Sequence, residues 1–148
     1  MTIDRLHNYR ALLVEREQIK RLLAEVEERE RELWSAATSL GGHGDGMPRA
    51  KNAGHPDSKL VSYIDERDKT AASRAALIAR YKAKLEEIDA EQLAIEEAVD
   101  ALPTREANMI RAKYLEAMRI EDICERYAFS RRQVYRILES AVELLARM

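Results

Sequence analysis

An all-α fold is predicted: a long antiparallel coiled-coil helical hairpin over residues 1–102, then a smaller C-terminal helical unit over residues 103–148. Three observations predict it. Apolar residues recur in alternating steps of four and three along both long segments, which is the spacing of a helix seam and not of a strand. All five glycines and two of the three prolines fall within residues 41–56, so a single break divides the first hundred residues. The 35% charged and 5% aromatic content is that of long exposed helices around narrow cores.

The first helix is expected over residues 1–40. Its seam is Tyr9, Leu12, Ile19, Leu23, Val26, Leu33, Ala37 and Leu40, interrupted by Arg16 and Glu30. Leu12, Leu13 and Val14 are followed at once by Glu15, Arg16 and Glu17, so no apolar secretory core exists and the segment reads as mature helix. Trp34 reads as a packing anchor near its end. A Gly-rich loop is expected over residues 41–57. Its His43, Asp45, His55 and Asp57 fit no zinc spacing, so no metal is expected there. Its run of glycines lacks the Lys-Ser/Thr of a phosphate cradle and follows a helix instead of a strand.

The second helix is expected over residues 58–102. Leu60, Ile64, Arg67, Ala71, Arg74, Ile78, Tyr81, Leu85, Ile88, Gln92, Ile95, Val99 and Leu102 alternate steps of four and three without a slip. Folding the two seams together opposes Leu12 to Ile88 and Ile3 to Val99, and sets Glu30 beside Arg67 and Arg74, where the charges can neutralise one another. The competing arrangement is a parallel dimer through residues 60–102. A two-helix hairpin buries only one narrow stripe, so further association is expected, with a second copy or with another protein.

The C-terminal residues carry the most chemical information. Ile120, Ile123 and Cys124 share one face of a short helix, with acids and Arg126 on the other; Cys124 reads as a small core residue. A turn at Tyr127, Ala128 and Phe129 follows. Ser130 and Gln133 then form a capping box that fixes the start of a second helix. Val134, Ile137, Leu138, Ala141 and Leu145 recur at the helical period as a buried stripe, whereas Arg131, Arg132, Gln133, Tyr135 and Arg136 crowd the first turns of the opposite face. This is the layout of a helix-turn-helix. The first turns of such a recognition helix enter the major groove, where arginine bonds O6 and N7 of guanine, and glutamine N6 and N7 of adenine. The plainer alternative is an ordinary pair of amphipathic helices with a solvated basic face.

Extended upstream through Leu102, Pro103, Thr104, Arg105 and Glu106 and the run from Met109 to Glu116, the pattern resembles region 4 of sigma-70-type initiation factors. The resemblance covers residues 102–148. It is closest to small phage and prophage regulators in which a charged helical segment precedes a region 4-like unit. It implies double-stranded promoter or operator DNA and RNA polymerase as partners, and it implies that Arg131, Arg132, Gln133 and Arg136 are the base and phosphate contacts; Ser130 and Tyr135, on the same first turns, are expected at the DNA beside them. The sequence departs from the family at Ala117 and Ala128, where glycine is frequent, and at Cys124, usually alanine. No segment is left for the promoter-melting region 2, so a complete sigma factor is not expected.

Charge agrees with a local interface. The formal net charge is −2, but residues 103–148 carry nine basic and seven acidic side chains against 16 and 20 in residues 1–102. Attraction to phosphate should therefore be confined to the C-terminal unit and be modest. One cysteine permits no internal disulfide, no apolar run reaches the roughly 18 residues of a membrane span, and a cytoplasmic location is expected. No constellation for catalysis and no cofactor motif is present. The expected function is sequence-specific, DNA-binding transcription regulation by an oligomer acting with host RNA polymerase. A small terminase subunit-like packaging protein and a coiled-coil adaptor that binds RNA polymerase without touching DNA are the alternatives.

Overall fold

A computed structural model describes residues 1–41 and 58–148, with side chains described at residues 1–35 and 69–148. Its elements are helical throughout: α1 (Ile3–Gly41), α2 (Ser58–Asp100), α3 (Thr104–Ile110) continuing into a π-helical stretch (Arg111–Leu115), α4 (Ile120–Tyr127) and α5 (Arg131–Arg147). No described helix is long and apolar enough to cross a membrane. The Gly-rich loop, with His43, Asp45, His55 and Asp57, lies outside the described residues. α2 stops at Asp100, two residues before its predicted end, because Pro103 disfavours helical backbone at the residue before it and itself starts α3 in an extended conformation (φ −54°, ψ 147°).

The chain divides into two compact units, and α1 and α2 each contribute to both. The first comprises Met1–Gln18 with Leu85–Met148. One apolar core runs through it, joining Leu6, Tyr9, Ile95, Val99 and Leu102 to Met109, Ile110, Ile123, Val134, Ile137 and Leu145. At about 1.5–3 kcal/mol for each fully buried aliphatic side chain, these ends of α1 and α2 stabilise the C-terminal helices substantially. The C-terminal helices therefore share their core with residues that the sequence assigns to the hairpin. Leu6, 1% exposed, stands off the four-three seam, three residues before Tyr9. Here α1 and α2 run in opposite directions: the Tyr9 hydroxyl donates to Glu96 (2.6 Å) and the Arg16 guanidinium to Asp89 (2.5 Å). Arg5 grips Glu91 with two hydrogen bonds of 2.6 Å, which hold the Glu91 carboxyl below its ordinary range. Burial, then the Glu96 carboxylate, pushes the Tyr9 phenol up to about 12.

The second unit is Ile19–Lys84. Ile19 is its most buried described hydrophobe, at 9% exposure, while Leu23, Val26, Ile78 and Tyr81 are half-buried, as one stripe between two helices dictates. Two expectations are corrected here. The Arg67 side chain expected beside Glu30 lies outside the described ones, and Glu30 does not pair with Arg74: Lys82 reaches Glu27 (3.7 Å), and Arg74 Nε is buried without a partner. Trp34 is 67% exposed and no packing anchor, since position 34 lies one residue off the seam at Leu33.

Candidate nucleic-acid interface

The C-terminal elements are joined by two sharp turns, each built on an alanine in the left-handed region. α3 ends in the wider π-helical turn, where Glu116 N–H donates to Arg111 O (2.8 Å) and Met118 N–H to Ala112 O (2.9 Å), and Ala117 takes φ 52° to close it. α4 ends with Ala128 at φ 55°, ψ 39°; its N–H and that of Phe129 (3.2 Å) both reach Cys124 O, a Schellman-type stop. For a residue with a Cβ this backbone costs about 1–2 kcal/mol, partly offset because alanine has less freedom to lose on folding than glycine. Ala128→Gly should therefore raise stability by about 0.5–1 kcal/mol and the melting temperature by about 1–4 °C, read by thermal circular dichroism. A lowered melting temperature would contradict the left-handed assignment.

α5 begins where the sequence places it. Gln133 N–H donates to Ser130 Oγ (3.3 Å) and Ser130 N–H to Gln133 Oε1 (2.9 Å), so both halves of the capping box are made. Behind this start Val134 and Ala141 are wholly buried, and Ile137, Leu138 and Leu145 nearly so. Ahead of it Arg131, Arg132, Gln133 and Arg136 are exposed, and Tyr135 is 46% exposed. All six predicted interface residues thus lie on the exposed face of the first turns of α5 or at its cap.

Their hydrogen bonds give them unequal freedom. The Gln133 carbonyl already accepts from Ser130, so its amide N–H groups are the part left for a ligand; a two-point contact with adenine would have to share that carbonyl. Arg131 pairs with Glu121 of α4 (3.4 Å), and Tyr135 and Glu121 hold its guanidinium further above its ordinary value. Arg126 is likewise paired, with Glu116 (2.7 Å). Arg132 and Arg136 make no ion pair among the described residues and are the available cations of this face.

Their placement is unfavourable for the helix itself. Arg131 and Arg132 sit in the first turn of α5, which holds no acidic residue, so their charge adds to the positive end of the helix dipole. A helix end of that kind attracts anions, phosphate among them.

Sequence reasoning missed Glu121 as a member of this face, because its pairing with Arg131 spans the turn and has no local spacing to announce it. Glu121→Ala should release Arg131. Binding to DNA should then tighten at low salt, and the slope of log K against log salt should steepen by up to about 0.9. Fluorescence anisotropy across a salt series measures both, and an unchanged slope would leave Arg131 outside the contact. No family model, curated protein or solved structure matches the chain, so this interface stands on its own residues.

Proposed function

We propose that the protein is a sequence-specific, double-stranded-DNA-binding transcription regulator that self-associates through its long helices and acts with RNA polymerase, in the manner of the phage and prophage regulators it resembles. In this reading α4 and α5 form a helix-turn-helix resembling sigma region 4, and α1 and α2 an antiparallel coiled-coil hairpin. One observation carries it: a capped helix start presents Arg132 and Arg136 unpaired on a face whose reverse is wholly buried. Arg131 and Arg132, at the positive end of α5, lower its stability, and a bound phosphodiester backbone removes that penalty. Arg132 and Arg136 suit guanine edges or phosphates, the Gln133 amide N–H groups suit an acceptor, and the exposed Tyr135 ring suits a sugar or a thymine methyl. RNA polymerase enters through the region 4 resemblance alone.

Selection of genomic fragments on the purified full chain tests the reading. Enrichment of promoter-like elements is expected, with altered transcription from those promoters when the protein is added to a reconstituted polymerase reaction. Enrichment of a packaging site would replace regulation with the terminase alternative. No enrichment, together with retained polymerase binding, would replace it with the adaptor.

A further inference from the structure

Over residues 69–100 the charge on α2 is segregated, whereas residues 58–68 mix Lys59 and Arg67 with Asp65, Glu66 and Asp68. Residues 69–84 hold five basic and no acidic side chains; residues 85–100 hold seven acidic and no basic ones. This order works against the helix twice. Like charges meet at neighbouring turns, as Arg80 with Lys84 and Glu87 with Glu91, and the acidic half lies toward the negative end of the helix dipole. Neighbouring elements answer part of it: Arg5 pairs with Glu91, Arg16 with Asp89, Lys82 with Glu27 and Arg111 with Asp100. Arg80, Glu86 and Glu97 remain exposed and without an ion pair among the described residues.

We propose that the outer face of α2 pairs antiparallel with the same face of a second copy, so that the basic half of each helix lies on the acidic half of the other. This deepens the self-association in the proposed function by naming its surface and its polarity. A helix that is basic and then acidic is its own complement only when turned end for end about a point between Lys84 and Leu85. The residues of that face agree with the turn. A second series of four-three steps, exposed at each position, runs from Ala72 to Glu97. Reversal opposes Ala72 to Glu97, Ala76 to Leu93, Ala79 to Ala90 and Ala83 to Glu86. Alanines permit close approach of the two helices, and Leu93, 56% exposed, gains the contact it lacks in the single chain. Arg80 then flanks the partner's Glu87. The charge order selects a second copy over an unrelated protein, because one repeated sequence supplies both signs at matched spacing.

Sedimentation of the full chain without DNA, together with cross-linking, tests the proposal separately from DNA recognition. At low salt the protein should sediment at twice its 17.0 kDa mass, and it should shift toward monomer as salt rises through the range that screens surface charge. In a Cys124→Ala background, Ala79→Cys with Ala90→Cys should give a disulfide-linked dimer on oxidation, whereas Ala79→Cys alone should not. Arg80→Glu should leave the helical signal intact and shift the low-salt protein to monomer, and mixing it with Glu87→Arg should recover the dimer. A monomer at every salt concentration, a dimer indifferent to salt and to Arg80→Glu, or cross-linking by Ala79→Cys alone would each overturn the pairing. Fragment selection that failed while the cross-link formed would remove the DNA reading and leave this one standing.

Discussion

Leu6→Asp is expected to unfold α3, α4 and α5, although position 6 lies in the opposite terminal segment of the sequence. Leu6 is 1% exposed and belongs to the core that also holds Ile110, Ile123, Val134 and Leu145. An aspartate there must be buried without a partner or must open the core to water. Either costs about 3–5 kcal/mol, comparable with the roughly 5–15 kcal/mol that keeps a domain folded. Hydrogen exchange reads the result site by site: the amides of Val134 and Ile137 should lose protection together with those of α1. Val14→Asp, in the same helix but at a side chain 58% exposed, should change stability by no more than about 0.5 kcal/mol. Protected α5 amides in Leu6→Asp would mean that the C-terminal helices fold alone.

The second large effect is on binding. Arg132→Ala and Arg136→Ala should each weaken specific DNA binding by about 1–3 kcal/mol, roughly 5- to 150-fold, with the melting temperature unchanged. Val134→Asp, whose wild-type side chain is wholly buried, should instead abolish binding by unfolding. Arg132→Glu separates the two causes most sharply. It places an acid at the positive end of the α5 dipole and should stabilise the helix by about 0.3–1 kcal/mol while removing affinity. Anisotropy titrations beside thermal melts give both signs. Arginine variants that bind the selected DNA as tightly as wild type would remove this face from recognition.

The parts of this structure legible in the sequence are those set by spacing along one helix. The seam on α2 is an instance: every described seam residue from Ala71 to Val99 is buried or half-buried, and its flanks are mostly exposed. Ser130 and Gln133 are another, since a capping box is local. Ala117 and Ala128 were legible as departures from glycine at turns, but whether each takes left-handed backbone is set by its surroundings, because alanine adopts that only when they impose it. What stayed hidden is set between elements. Leu6 stands off the seam, and no spacing within α1 marks it as core because its partners lie across α3 to α5. The Arg131–Glu121 pair and the unpaired Arg74 Nε depend on side-chain reach across a turn or a neighbouring helix, which no periodicity encodes.

The shared core of the first unit has a consequence for the order of events during synthesis. A ribosome releases Leu6 and Tyr9 early, yet the residues that bury them extend to Leu145. At about 5–20 residues per second, the opening segment waits on the order of ten to thirty seconds for its partners. During that interval the apolar side of α1 has only α2 to lean on. Leu145 enters that core from the last turns of α5, so Leu6 and Tyr9 keep part of their apolar surface uncovered until the whole of α5 has been made.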